Sequence, residues 1–337
     1  MNKYFVLYSC CIPVKGAARS TICDLQRSSF IFIPNEFYNL LKKNKLKIRY
    51  EEINKKEFKF KKLTEDIVAA EYGFYCDNPD EFPQIENSFE VPNIITNIVI
   101  DIGKSKTFDF GKLVLKLNDV TCFLAYIRLF DESDIINKMS FISEYFNNST
   151  IRNIQFEIIN NKKSNISQEG LLSINAKHPR VKKIIVRNNT INAINKFNNF
   201  ECIFLKASID STSDCGCGLI SPYNFSPNYS MFFESLKFNN CLNKKIAIDI
   251  NGYIKNCPYH SKNYTHIDEI DSLKDFIANN TQFRSLWNIT KDQIEVCKDC
   301  EFRYICQDCR VFTKESENLY SKPKHCKYNP YEAIWAK

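Results

Sequence analysis

The sequence predicts an α/β protein built from three regions. Short β-rich runs are followed by helical patterns in residues 1–90, and β-rich and helical runs alternate at a spacing of about 30 residues in 91–210. Nine of the 15 cysteines fall within residues 211–337. These three observations predict an N-terminal winged-helix-like α+β domain, a partial β/α barrel and a cysteine-rich C-terminal domain.

The composition predicts a globular chain without a membrane span. Of the 337 residues, 44% are hydrophobic and 25% are charged, and no apolar run approaches the ~20 residues of a membrane helix. The apolar N-terminal stretch is followed at once by Pro13, Lys15 and Gly16, which favours a strand over a signal peptide. We therefore expect a cytoplasmic location, where disulfides are rare and cysteine clusters usually bind metal.

Residues 1–90 begin with the runs YFVLYSCCIPV, RSTICDLQR and SSFIFIP, which predict three short strands. Pro34 then stands where a helix begins, so NEFYNLLKKN is predicted to be helical, and Thr64 is predicted to cap a later helix. On a strand, adjacent Cys10 and Cys11 would face opposite sides, which makes them a poor chelate. The proline-containing stretch 77–85 predicts the domain boundary.

A basic block covers residues 42–62 and carries ten Lys or Arg against three Glu, within a net charge of +7. Two interpretations remain open for it. The block is either the solvated face of a helical segment or a surface that attracts an acidic partner. No nucleic-acid-binding motif accompanies the charge, so nucleic acid is not predicted as a partner.

Residues 91–210 contain five β-rich runs that begin near 95, 120, 151, 182 and 201, with helical patterns in several of the gaps. Alternation of this kind predicts βαβ units and a parallel sheet. Five strands are too few for a closed eight-stranded barrel, so a partial barrel is expected.

The C-terminal region contains the motif C-x2-C-x5-C-x2-C, formed by Cys297, Cys300, Cys306 and Cys309. Thiols spaced so closely bind a metal, pair as disulfides or carry out redox chemistry, and four thiolates are a usual ligand set for zinc or iron. Further cysteines extend the pattern on both sides, with Gly252 five positions before the second of them: Cys241, Cys257 and Cys326.

This order of seven cysteines and one glycine resembles the SPASM domain, which holds auxiliary [4Fe-4S] clusters in radical-SAM peptide-modifying enzymes. The family usually has three residues, not two, between the cysteines at 306 and 309. The resemblance implies two [4Fe-4S] clusters. One would be bound by Cys297, Cys300, Cys306 and Cys326. The other would be bound by Cys241, Cys257 and Cys309, with Cys217 or Cys215 as the eighth ligand.

The loop motif CxxxCxxC, which binds the cluster that cleaves S-adenosylmethionine in radical-SAM enzymes, is not present. The predicted first barrel strand, NIVIDIG, is followed by KSKTFDFG, which has no cysteine. We therefore expect a degenerate radical-SAM-like barrel that does not use S-adenosylmethionine. Whether the chain is itself an enzyme stays open at this stage.

The N-terminal motif C-I-P-V-K-G…R-S…I-C-D-L-Q-R resembles the start of the grasp-with-spasm peptide maturases. That resemblance implies a maturation factor for a ribosomally made peptide, acting beside an ATP-grasp ligase. Residues 1–90 would then hold the precursor's leader as an added strand, and their removal would leave the clusters in place. The alternative is a non-enzymatic scaffold or adaptor in which the same thiolates hold structural zinc.

Overall fold

The computed structural model describes residues 3–55, 58–86, 88–105, 107–130, 134–159, 166–206 and 218–336. The chain divides into two compact units. The first combines Met1–Glu90 with Gly218–Cys241 and Asn288–Lys337, and the second combines Val91–Cys217 with Leu242–Trp287. Both units are therefore assembled from segments that are distant in sequence.

The described part of the first 90 residues contains six strands and three helices: β1 (Tyr4–Leu7), β2 (Cys11–Lys15), β3 (Ser20–Asp24), β4 (Ser29–Ile33), α1 (Asn35–Lys43), β5 (Lys47–Arg49), α2 (Tyr50–Lys55), α3 (Phe58–Ala69) and β6 (Gly73–Cys76).

Where the structure describes residues 91–206, it shows six strands and three helices: β7 (Asn97–Ile102), α4 (Phe110–Asp119), β8 (Leu124–Leu129), α5 (Ile135–Tyr145), β9 (Asn153–Ile158), α6 (Gln168–Lys177), β10 (Val181–Val186), β11 (Ala193–Phe197) and β12 (Phe200–Phe204).

The remaining elements are short: α7 (Tyr229–Lys237), β13 (Lys245–Ile248), β14 (Ile254–Lys255), α8 (Leu273–Asn279), α9 (Thr281–Arg284), β15 (Tyr328–Asn329) and β16 (Ile334–Trp335). Five 3-10 helices lie between the longer elements: Pro79–Glu81, Pro222–Asn224, Ile267–Glu269, Ser285–Asn288 and Cys297–Asp299.

Two antiparallel three-stranded sheets organise the N-terminal part of the first unit, in the orders β5-β1-β6 and β2-β3-β4. The apolar face of α1 presents Phe37, Leu40 and Leu41 to a core that also contains Phe5 and Ile22. The amphipathic pattern of this helix explains why its buried positions recur three to four residues apart.

The predicted first strand is in fact two strands, because the chain turns at residues 8–10. The N–H of Cys11 donates to the carbonyl of Tyr8 at 2.8 Å, which closes the turn. Strand alternation therefore does not apply to Cys10, which precedes β2. The expectation that the two adjacent thiols point apart is wrong, since the sulfurs of Cys10 and Cys11 lie 3.9 Å apart.

Thr64 does not cap a helix, contrary to the prediction. It lies inside α3, which begins at Phe58, and it is fully buried. Its hydroxyl donates to the carbonyls of Phe60 at 3.1 Å and Lys61 at 2.9 Å. A threonine followed by acidic residues suits a helix start, but its hydroxyl can also bond back to the preceding turn. Local sequence does not distinguish the two uses.

The second unit is built on one eight-stranded sheet in the order β11-β12-β10-β9-β8-β7-β13-β14. Six neighbouring strands run parallel, and each edge strand is antiparallel to its neighbour. The chain is thus a mixed α/β protein with a large, mostly parallel sheet, as the alternating pattern predicted. The five predicted strands correspond to β7, β8, β9, β10 and β12.

Gly252, the glycine of the C-terminal cysteine pattern, lies in the hairpin between β13 and β14. Its φ is 86°, and a Cβ there would stand 2.2 Å from the Nε2 atom of His266. Both the positive φ and the close approach require glycine. The antiparallel pairing that follows, Ile248 opposite Ile254, ends the sheet.

One face of this sheet is apolar and the other carries charges. Ile100, Ile127 and Phe156 are fully buried members of the core. The next residue on each of these strands is charged, and the three residues form a row across the sheet. Arg128 on β8 stands opposite Asp101 on β7 and opposite Glu157 on β9. Buried charges of this kind require partners, so the row constrains how the strands are aligned.

No helix in the described part of the chain is long and apolar enough to cross a membrane.

Candidate metal centre

Four of the predicted cluster ligands line a single cavity within the first unit: Cys297, Cys300, Cys306 and Cys326. The cavity has a volume of about 20 Å³. The N–H of Cys300 donates to the carbonyl of Cys297 at 3.0 Å, which closes the C-x2-C turn. The sequence spacing thus brings the four thiols to one place.

The backbone is strained immediately before this turn. Val296 has a φ of 65°, a conformation that a β-branched residue rarely adopts. Strained residues of this kind persist only where surrounding contacts fix them, and they concentrate at functional sites.

The β2–β3 hairpin holds Glu301, the residue that follows Cys300, in place. The hydroxyl of Thr21 donates to the Glu301 carbonyl at 3.0 Å, and Arg19 Nε donates to the carboxylate at 2.9 Å. At Gly16, in the turn of the hairpin, an added Cβ would lie 2.8 Å from the Cβ of Glu301. Gly16, Arg19 and Thr21 all fall within the N-terminal motif, so that motif supports the cysteine loop.

The hairpin and the cysteine loop also share one hydrophobic core. Val14, Cys23 and Leu25 pack in the same cluster as Phe302 and Cys306. Removal of residues 1–90 would take away one wall of this core. The packing is therefore incompatible with the expectation that the clusters would survive that deletion.

A buried lysine lies against the thiols. The ammonium of Lys291, a residue only 4% exposed, donates to the sulfur of Cys306 at 3.2 Å and to the carbonyl of Gln307 at 3.2 Å. The nearby carboxylate of Asp308 accepts hydrogen bonds from Nε and Nη2 of Arg310, at 2.6 and 2.8 Å. Among the described residues, no carboxylate forms an ion pair with Lys291.

The pKa values of these groups follow from burial and from one another. Burial raises the pKa of the Cys297 thiol to about 12. Burial also raises the pKa of Cys306, although the Lys291 ammonium partly opposes this. For Lys291, burial alone would lower the pKa, but Cys306, Cys297 and Asp308 together raise it, so the group is a cation. A buried cation beside thiols favours an anionic thiolate centre.

Zinc and a [4Fe-4S] cluster need different spacings between their thiolate ligands. In tetrahedral zinc, Zn–S bonds of about 2.3 Å place the sulfurs about 3.8 Å apart. Among the described residues, no three of the four cavity sulfurs lie within 4.8 Å of one another. A [4Fe-4S] cluster binds each thiolate through a different iron and therefore needs wider spacing.

The ligands predicted for a second cluster are placed less completely. Cys241 and Cys309 belong to the first unit and Cys257 to the second, whereas Cys215 and Cys217 lie outside the described residues. The Nε2 of Gln307 lies 3.9 Å from the sulfur of Cys241. A Cβ on Gly218, which directly follows Cys217 in sequence, would lie 3.1 Å from the sulfur of Cys309.

A second polar site lies at the carboxyl end of β7. Arg128 donates to both carboxylate oxygens of Asp101, each at 2.7 Å, and Arg187 pairs with Glu157. A cavity of about 250 Å³ opens beside Asp101 and is lined largely by aromatic and apolar side chains. An ion pair and an aromatic pocket thus occupy this end of the strand.

Sequence reasoning missed the two supports of the thiol cavity. Lys291 stands in the run NITKDQI, which has the composition of a solvated turn, and lysine is almost never fully buried unless paired. The role of the hairpin depends on contacts between residues 15–24 and 299–303, and no local pattern predicts such a pairing.

No protein-family model matches the chain, and the comparison with curated proteins gives no match. Among solved structures, SuiB of Streptococcus suis bound to S-adenosylmethionine matches at 11% identity with a TM-score of 0.32, over 95% of this chain and 98% of that one. SuiB bound to its precursor peptide SuiA matches at 12% identity with a TM-score of 0.33, over 94% and 98%. We infer nothing about the ligands of this chain from similarities of this degree.

Proposed function

We propose that this chain is a maturation factor for a ribosomally made peptide. In this role it binds the precursor peptide, holds auxiliary [4Fe-4S] clusters and works beside an ATP-grasp ligase. The observation that carries the metal part is the convergence of Cys297, Cys300, Cys306 and Cys326 on one cavity that also contains a buried cation. The pathway part rests on the N-terminal and C-terminal sequence resemblances.

The donor set fits an iron–sulfur cluster. The negative charge of four thiolates exceeds the positive charge of the iron–sulfide core that they bind. The centre as a whole is therefore an anion that would compensate the buried Lys291. The cluster would supply electron transfer or a rigid anchor for the surrounding loops. For the second cluster we propose Cys241, Cys257 and Cys309, with Cys217 or Cys215 as the fourth ligand, on the basis of the sequence resemblance alone.

For the precursor we propose the edge strand β5 as the docking site. The sheet order β5-β1-β6 leaves β5 at one edge. This strand carries Lys47 and the exposed Arg49, and exposed Lys42, Lys43 and Lys45 precede or flank it. An acidic leader strand could pair with the edge through its backbone and be attracted by these side chains.

The metal content tests the proposal directly. We expect protein purified without oxygen to contain about eight iron and eight sulfide per chain, and to absorb visible light. One or two zinc ions without sulfide would instead support the scaffold alternative and would remove the basis for the cluster assignment.

A charge reversal tests the docking site. In the double variant Lys45→Glu and Arg49→Glu, we expect affinity for a labelled acidic peptide to fall by about tenfold, and the salt dependence of binding to weaken. Fluorescence anisotropy of the labelled peptide provides the measurement. Lys112→Glu, on an exposed position of α4, is a charge-reversal control in the second unit, with half the change in net charge of the double variant. Equal affinities for the double variant and the wild type would exclude β5 as the site.

A further inference from the structure

A second thiol site lies in the first unit, separate from the cavity described above. Among the described residues, only Cys10, Cys11 and Asp24 bring three possible metal-ligand atoms within 4.8 Å of one another. The two sulfurs are 3.9 Å apart. None of these residues belongs to the C-terminal cysteine pattern, so this site needs its own explanation.

The backbone fixes all three ligands. Cys11 stands directly opposite Asp24 in the antiparallel pair of β2 and β3. The N–H of Leu25 donates to the carbonyl of Cys10 at 3.0 Å, and the N–H of Cys11 donates to the carbonyl of Tyr8 at 2.8 Å. The turn and the strand pair therefore hold the two thiols and the carboxylate together without help from a ligand.

The carboxylate is ionised and still able to accept. Burial raises the pKa of Asp24, but donors from Arg27 and Gln26 outweigh it and lower the pKa below its usual value. The Oδ1 atom accepts the N–H groups of Gln26 and Arg27, each at 2.9 Å, and Oδ2 accepts Arg27 Nε at 2.5 Å. A carboxylate oxygen has two lone pairs, so Oδ2 retains one for a metal.

We propose that Cys10, Cys11 and Asp24 bind one zinc ion, with the fourth position open to solvent beside the half-buried Cys10. The observed sulfur separation of 3.9 Å matches the ~3.8 Å expected for two thiolates on tetrahedral zinc. Two thiolates and one carboxylate carry three negative charges, and zinc with Arg27 supplies three positive ones. These charges balance within the ligand set and its nearest cation, and Arg27 also pairs with Glu71 outside that set.

This ion would fasten the turn before β2 to the end of β3. The same hairpin carries Arg19 and Thr21, which hold Glu301 beside the cysteine loop. Zinc at this site would thus stabilise the support of the C-terminal thiols without binding to them.

Metal analysis of the full-length chain tests the site. The wild type and Cys10→Ser are purified without oxygen, dialysed against zinc held at a fixed free concentration by a chelator, and analysed for zinc, iron and sulfide. We expect about one zinc per chain less in Cys10→Ser, with iron and sulfide unchanged. Its zinc affinity should fall by more than about 100-fold, since even loss of a residue that only supports a ligand costs 10–100-fold.

Two further variants make the outcome decisive. Cys76→Ser changes another half-buried cysteine of the first unit and should keep the wild-type zinc content. Asp24→Asn preserves an oxygen acceptor for the turn but removes the charge, so its zinc affinity should also fall. If Cys10→Ser loses its circular dichroism signal and is therefore unfolded, the zinc content of Asp24→Asn tests the site instead. If the wild type and the folded variants contained equal zinc per chain, the site would be overturned. This holds even if zinc had entered the C-terminal thiols, because those thiols are the same in all the proteins. The iron count is independent of this result, so failure of the proposed function would be seen separately.

Discussion

Replacing Cys300 by alanine is expected to remove one cluster, so that iron and sulfide per chain fall by about half. Cys300 lines the thiol cavity and packs against the core shared with the hairpin. Metal binding by such sites contributes directly to folding free energy, so we expect the melting temperature of the first unit to fall by about 10 °C or more. Iron and sulfide assays and calorimetry, both without oxygen, provide the measurements.

The matched control is Cys202→Ala, which truncates a fully buried cysteine on β12 in the second unit. This change removes one packed sulfur and should cost about 1 kcal/mol, with no change in iron content. An unchanged iron count in Cys300→Ala would contradict the ligand assignment. A drop in iron in both variants would instead indicate general unfolding.

Replacing Lys291 by methionine is expected to leave the cluster in place and to lower its reduction potential by about 60–130 mV. Methionine has a similar length but neither charge nor donor. The ammonium bonds to the sulfur of Cys306, and a hydrogen bond to a charged group is worth about 1.5–3 kcal/mol. A one-electron couple changes by about 59 mV for each tenfold change in equilibrium constant. Loss of the cation disfavours the more negative, reduced cluster.

A redox titration followed by electron paramagnetic resonance measures this potential. Lys298→Met removes the same charge from an exposed position between Cys297 and Cys300, so it reports the effect of charge without the buried hydrogen bond. We expect a shift of less than ~20 mV there, because solvent and salt screen an exposed charge. Similar potentials for Lys291→Met and the wild type, at equal iron content, would show that Lys291 has no electrostatic role.

Regular patterns in the sequence predicted the large elements well. The five runs of the second region are strands of one mostly parallel sheet, because alternation of apolar strands and helices allows few other arrangements. The resemblance to the SPASM domain implied a shared site for Cys297, Cys300, Cys306 and Cys326, and these thiols line one cavity, whereas their binding of a cluster stays a prediction.

The errors and omissions arose where distant contacts decide the local structure. β13 has only four residues and joins the sheet beside β7, a pairing that its own sequence does not encode. Cys10 lies in a turn rather than a strand, so the alternation rule failed for its neighbour Cys11. The burial of Lys291 likewise depends on thiols that are separate in sequence.

The discontinuous make-up of the first unit has a consequence for biosynthesis. Its first segment ends at Glu90, and its last segment begins only at Asn288. A ribosome that adds about 5–20 residues per second needs roughly 10–40 s to cover this interval. During that time the hairpin that carries Arg19 lacks its partner Glu301, and its apolar side chains are exposed. Any metal centre that needs all four cavity thiols can form only after Cys326 has been translated, and nascent chains are most prone to aggregation before that point.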